Sequence, residues 1–454
     1  MRGSKMRRRG LTAIVAAVSL AIYMAVIALP ASAVVSCAVT GASPNQTMTV
    51  TLSADTDAAT LKVNAGTIEW DAVTPATACT PAATTAGVSA IVVNGDTGAQ
   101  TVTIDGTGGS FTASITVSLG AGSDVVTAAS AADAVTINGG AGDDTITGGS
   151  GNDNLNAGDG ANQVVNGGGG GDTISTGSGV DIVNGDDGND TINTGAAGDD
   201  ASGGAGDDTV NAGDGSNSVT GNTGNDTLTA GTGNDNVDAG DGDDTVDAGD
   251  GSNTVAGGNG SDTLTTGNGA DDIFGDDGDD TVHAGAGADT LEGSTDRDAL
   301  WGEAGDDTLR GEGGSDTLAP GEGDDDVNGG TSVDTVTFVD ATAAVDADLT
   351  NGFASTGSDD DVIDEVESVI GSGFADTIRG QVGNNTLSGG KGPDSIRGAQ
   401  GDDVLHGNGG KDTLRGGDGD DDVYGEGGAD ALYGGGGTDF CDGGGGKNTY
   451  KGCE

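Results

Sequence analysis

Aromatic residues make up only 3% of this 454-residue chain, and no Lys or Arg occurs between Lys62 and Arg297. The first scarcity excludes an ordinary globular core, which draws its buried area from large apolar and aromatic side chains. The second excludes nucleic acid, whose recognition begins with a basic patch, and attraction to anionic lipid. It also leaves 74 acidic residues and a formal net charge of −59 with few internal counter-charges. A compact metal-free fold would have to overcome strong self-repulsion. Multivalent cations are the remedy open to such a chain.

Histidine is nearly absent as well. His283 and His406 are the two in the chain, and neither belongs to an H-E-x-x-H or comparable arrangement, so both read as surface residues and no enzyme is expected. The four cysteines lack C-x-x-C spacing and a nearby His, which argues against zinc. An even count in an exported chain favours disulfides, and the expected pairs are Cys37–Cys79 near the amino terminus and Cys441–Cys453 closing the last coil.

One long apolar run exists, residues 11–29, preceded by the basic residues 6–9 and followed by Pro30, Ala31, Ser32 and Ala33. This is the pattern of a secretory leader with an A-x-A-type cleavage site before Val34. Residues 1–33 are therefore read as a signal peptide, and the protein as secreted, extracellular or cell-surface associated. An uncleaved anchor is the alternative, because the run is long enough to span a bilayer. No membrane insertion is expected once the leader is removed.

Glycine is abundant, at 92 residues, and it recurs in register. A nine-residue unit, Gly-Gly-x-Gly-x-Asp-x-(aliphatic)-x, is clearest at 139–147, 203–211, 257–265 and 416–424. It keeps phase from Gly139 to Thr337 with one inserted residue near Asn166, and again from Gly371 to Lys451. Glycines at the first, second and fourth positions allow a tight six-residue turn. The last three residues form a minimal strand whose eighth residue points inward and whose seventh and ninth point outward. The inward set begins Ile146, Leu155, Val164, Ile174, Val183, Ile192 and Ala201.

Two units close one coil of eighteen residues, and turns one coil apart stack directly. Each sixth-position Asp then comes within reach of the next turn's Asp and carbonyls, and a cage of six or more oxygens suits Ca²⁺ better than Mg²⁺. With these motifs the chain resembles the RTX family of calcium-binding nonapeptide repeats over about two-thirds of its length. The resemblance implies an all-β, right-handed parallel β-roll or β-helix solenoid binding multiple Ca²⁺. It further implies ligation by Asp144, Asp153, Asp172, Asp181, Asp190, Asp199, Asp208, Asp226, Asp235, Asp244, Asp262, Asp271, Asp280, Asp289, Asp298, Asp307, Asp316, Asp325 and Asp334. In the second array the matching residues are Asp376, Asp394, Asp403, Asp412, Asp421, Asp430 and Asp439.

The expected organisation is a small β-rich amino-terminal cap over 34–118, a first array over 119–337, an irregular segment over 338–370 and a second array over 371–454. The cap alternates with a separate β-sandwich, and the irregular segment is either a hinge or a coil that keeps the column continuous. Asn162, Asn217 and Asn253 replace the aspartate and should mark weaker sites on one face, with Asn385 and Asn448 also weak. Loss of the fourth-position Gly at Ala197, Asp296 and Ser332 puts those turns in doubt. Arg379, Arg397, Arg415 and Tyr433 fall eighteen residues apart, reading either as charge balance or as a ligand-binding row for a surface polysaccharide. The functional expectation is an exported, calcium-folded structural or adhesive protein. Alternatives are an ice- or glycan-binding protein and, further off, a non-catalytic part of a secreted hydrolase or toxin.

Overall fold

The computed structural model of the protein describes residues 35–42, 45–52, 58–64, 67–72, 88–106, 111 and 113–454. The leader and Cys79 lie outside these residues, so the expected signal peptide and the Cys37–Cys79 bridge do too. Among the described residues there is no helix long and apolar enough to cross a membrane. Every regular element is a β-strand, and most are three or six residues long.

Short strands follow from the nine-residue period, since six residues of each unit are spent turning. Each strand pairs in parallel with the strand one coil later, as in Ile174↔Ile192 and Thr209↔Thr227. Alternate strands therefore build two stacked sheets. The first carries Leu155, Ile174, Ile192, Val210 and Leu228 inward, and the second Ile146, Val165, Val183, Ala201 and Val219; all are buried between the sheets. One aliphatic side chain per unit thus forms a continuous narrow spine, the β-solenoid expected from the repeat.

At one place the phase differs from expectation. Val165, not Val164, faces inward, and Gln163 rather than Asn162 is buried at the sixth position. The inserted residue of the unit lies before Gln163, and the alternation of the strand Val164–Gly169 decides which neighbour is inside.

Toward the amino terminus the coils widen. The ladder step is 18 residues in the array, 19 at Asp144 to Gln163, 20 at Asp124 to Asp144 and 24 at Gln100 to Asp124. Larger side chains fill the wider coils, among them Phe111, Met48, Leu61 and Ile91. Strands Asn45–Leu52, Val88–Asn94, Ser114–Ser118 and Val135–Ala141 run in parallel into the first sheet. Two antiparallel pairings, Val35–Ala42 with Asn45–Leu52 and Ala58–Asn64 with Thr67–Ala72, lie at this end.

Residues 338–370 enter the two sheets unequally. In the first sheet Val336 pairs directly with Val369. In the second, three strands, Asp359–Asp364, Phe353–Thr356 and Val345–Asp348, are stacked between Asp326–Asn328 and Thr377–Arg379, with the inner two pairings antiparallel. The apolar column passes through unbroken, with Val345, Ala347, Ala354, Ile363 and Val369 all buried. At the far end a disulfide joins Cys441 to Cys453, with a Cα–Cα distance of 5.7 Å.

The turns in doubt are all formed. Ala197 (φ 110), Asp296 (φ 71) and Ser332 (φ 109) take the left-handed backbone that glycine holds elsewhere, because stacking against the coils on either side enforces it. An L-residue there costs on the order of 1 kcal/mol or more. Ala197→Gly should therefore stabilise the folded protein by about 1 kcal/mol. Denaturant unfolding against the parent measures this, and a loss of stability would contradict the strain.

Candidate metal centre

Each turn buries its sixth residue although that residue is usually an aspartate. Asp208, Asp226, Asp244, Asp262 and Asp280 are each at most 2% exposed. One carboxylate oxygen is accounted for by the backbone, since the N–H of Asp208 donates to Asp226 Oδ1 at 2.8 Å and the N–H of Asp226 to Asp244 Oδ1 at 2.7 Å. The ladder continues down both turn columns, for example from Asp271 to Asp289 and from Asp394 to Asp412. Turn and strand are locked together by the same residue, because its carbonyl accepts the seventh-position N–H of the next coil, as Asp208 does from Thr227 at 2.8 Å.

The other oxygen has no donor. Oδ2 is buried without a hydrogen-bond partner at all the expected aspartates except Asp153 and Asp376. At those two it accepts a second-position N–H, from Gly149 at 2.7 Å and Ser372 at 2.6 Å. Elsewhere Oδ2 lies beneath the first residue of its own turn, beside the first carbonyl of the next. A Cβ added at Gly221 would meet both Asp226 Oδ2 and the Ala239 carbonyl. A buried carboxylate oxygen facing carbonyl oxygens is a repulsive arrangement, and a cation is the group that reverses its sign.

Where an amide replaces the carboxylate, the gap is filled from within. Asn217 Nδ2 donates to the carbonyls of Gly213 at 3.0 Å and Ala230 at 2.9 Å. Asn253 Nδ2 donates to Gly249 at 2.9 Å, Gln163 Nε2 to Gly142 at 2.9 Å and Asn385 Nδ2 to Glu367 at 3.0 Å. The amide nitrogen thus supplies a donor where the aspartates have an unpartnered oxygen, to a turn carbonyl of its own or a neighbouring coil, and at Asn217 to the first carbonyl of the next turn, Ala230. Gln163, Asn217 and Asn253 share one turn column, as their ladder partners Asp181, Asp235 and Asp271 show.

No group of three or more His, Cys, Asp or Glu side chains converges on a point among the described residues. A bound ion would therefore take part of its shell from turn carbonyls, which is the donor set a hard cation such as Ca²⁺ accepts. Two column members were not among the sequence candidates. Asp361 Oδ1 accepts the N–H of Asp325 at 3.3 Å and Glu367 Oε2 that of Asp334 at 3.0 Å, carrying the ladder into the insert. Each precedes an inward aliphatic, Ile363 or Val369, by two residues, and that spacing was the available signal.

Electrostatics mark the same atoms. Burial raises the carboxyls of Asp172, Asp208, Asp280, Asp298, Asp307 and Asp361 to about 7, with neighbouring aspartates adding and the ladder N–H opposing. Asp144, Asp226, Asp262 and Asp394 rise to about 6 for the same reasons.

The Arg row is also in register. Arg379, Arg397, Arg415 and Tyr433 lie opposite one another on successive strands of the second sheet. Arg379 is paired with Asp346 at 2.9 Å, and the Arg415 guanidinium lies 4.8 Å from the centre of the Tyr433 ring.

A family model described as RTX calcium-binding nonapeptide repeat matches residues 136–164, 166–318 and 366–450 in overlapping copies, more than half of the chain. No curated protein matches it.

Two outcomes follow from the buried oxygens. Raised carboxyls mean that the metal-free coil binds more protons than the unfolded chain between about pH 4 and 7, so its stability falls as pH rises through that window. Metal-stripped protein should gain β-structure by circular dichroism as pH drops from 8 to 4; a loss on acidification would contradict the assignment. Asn217→Asp should add one bound Ca²⁺ per chain in equilibrium dialysis, because the amide that bridges the carbonyls is gone.

Proposed function

Since the chain belongs to the RTX calcium-binding nonapeptide repeat family, we propose that it is an exported β-solenoid that folds on binding Ca²⁺ outside the cell. It serves there as a structural or adhesive surface or matrix element. The observation that carries this reading is the column of buried Oδ2 atoms, each without a donor and each set against turn carbonyls.

The aspartates with a partnerless oxygen would hold the ions, two stacked turns contributing to each. Calcium supplies the positive charge that lets neighbouring carboxylates stay ionised while buried. The chain's own residues do the rest: the sixth-position N–H orients each carboxylate, the small first residue leaves room for Oδ2, and the inward aliphatic sets the coil spacing. The repeat solenoid is a non-catalytic architecture, and no reaction is assigned to it.

Residues 34–118 act in this proposal as the cap of the solenoid and 338–370 as a wedge between its arrays, with residues 1–33 directing export. The Arg397 and Arg415 side chains, exposed beside Tyr433, support contact with an anionic surface polysaccharide. The ninth-position row of the first sheet is uneven, as at Asn193, Asn211, Thr229 and Asp247, but its seventh-position row is an unbroken threonine ladder from Thr173 to Thr281, which supports ice binding as the second reading.

Calcium titration of metal-stripped protein at neutral pH should convert a disordered circular dichroism spectrum to a β spectrum, and Mg²⁺ at the same concentration should not. Midpoints are expected in the range of about 10⁻⁴–10⁻³ M, as for extracellular calcium modules. A spectrum indifferent to both calcium and chelator would refute the proposal. Asp226→Asn should raise the calcium midpoint, whereas Asp143→Asn, on the exposed fifth position, should leave it unchanged.

A further inference from the structure

On the outer face of the first sheet, His283, Trp301, Ala319 and Thr337 occupy the ninth position of successive units of that sheet. The His283 and Trp301 rings stack with centroids 4.5 Å apart and planes 12° from parallel, close to the strand spacing of about 4.8 Å. Their planes therefore lie across the solenoid axis. The next place belongs to Ala319, whose methyl group leaves a slot about one ring thick beyond the indole.

The slot is closed on its far side by the chain leaving Thr337, where Phe338 is buried and Val339 is 60% exposed. The result is a cavity of about 350 Å³ floored by Trp301, Ala319 and Thr337, with the carboxylates of Glu303, Glu322, Asp340 and Asp359 around it. That volume lies within the range of about 300–1,000 Å³ typical of small-ligand sites. It exists only where the regular array meets the insert.

The His–aromatic–Glu grouping occurs a second time, without the cavity. His406 stacks on Tyr424 at 5.0 Å and 10°, and its Nδ1 lies 3.0 Å from Glu426, just as His283 Nδ1 lies 3.2 Å from Glu303. There Asp442 takes the place that Ala319 has beyond Trp301, and a ring from the seventh-position row, Phe440, leans on Tyr424 at 5.8 Å, tilted 56°. At Trp301 the small Ala319 side chain and the insert together leave the cavity.

The lining chemistry narrows the occupant. Four carboxylates offer acceptors, and the one imidazole is engaged by Glu303, so a ligand must be rich in donors. The half-buried indole of Trp301, which lines the cavity, favours a C–H surface or an adjacent cation. A uronic or sulfated sugar would be repelled by the four carboxylates around the slot.

We propose that the slot over Ala319 binds an amine-bearing hexopyranose ring, as presented by a deacetylated amino-sugar polymer, stacked on Trp301 with its ammonium and hydroxyl groups donating to the surrounding carboxylates. The site needs the folded solenoid but not any particular reading of the calcium turns, so the two can fail separately.

The test is calorimetric titration of the full chain in saturating calcium with glucosamine oligomers, N-acetylglucosamine oligomers and oligogalacturonate. Glucosamine oligomers should bind, the acetylated series at least about tenfold more weakly, and oligogalacturonate should show no binding that Ala319→Leu reduces, since contact with the Arg397–Arg415 row is insensitive to that change. Trp301→Ala and Ala319→Leu should each weaken binding by at least about tenfold, with the calcium-dependent dichroism spectrum retained in both. Ala319→Leu fills the slot without changing charge, so undiminished binding in that variant identifies general adsorption to an acidic polymer and overturns the site. Absence of glucosamine-oligomer binding by the parent, equal binding of the acetylated oligomers, or oligogalacturonate binding that Ala319→Leu abolishes overturns it too.

Discussion

A half-satisfied buried carboxylate, repeated in most turns, is the constraint on which this solenoid depends. One oxygen of Asp226 is held by the N–H of Asp208, one coil earlier, at 2.8 Å. The other is turned inward against carbonyl oxygens without a donor. The first contact aligns the coils and the second makes their alignment conditional on positive charge. On the proposed function, stability of the fold and loading of the turns are one equilibrium, as in other proteins whose metal sites exist only when folded.

The chain shows what happens when that condition is relaxed. At Gln163, Asn217 and Asn253 a side-chain amide donates to the carbonyls, so these turns close without a cation. All three lie in one column, which leaves the two edges of the first array unequal in charge. Backbone strain is tolerated on similar terms. Ala197 and Ser332 keep φ near 110 because the coils above and below leave no other path.

Outward positions are free of these demands, and there the chain differentiates. Because each ninth residue stacks on its counterpart eighteen residues away, a single substitution becomes part of a row. The second sheet acquires Arg379, Arg397 and Arg415 in register, and the first acquires the His–aromatic–Glu grouping twice. The insert turns one of these rows into a cavity, since its three strands in the second sheet and its exit over Thr337 interrupt the regular stacking.

The nine-residue period by itself determined the β-solenoid, the two sheets, the inward aliphatic spine and the burial of the sixth-position aspartates. Those features are local: a turn of small residues and an alternation of period two repeat wherever the pattern repeats. The inward choice of Val165 over Val164, the capture of Asp361 and Glu367 by the carboxylate ladder, the completed turns at Ala197, Asp296 and Ser332, and the slot beyond Trp301 were decided only in the tertiary structure. Each depends on what lies one coil away. Contacts across that distance are set by stacking, which a single unit's sequence does not contain.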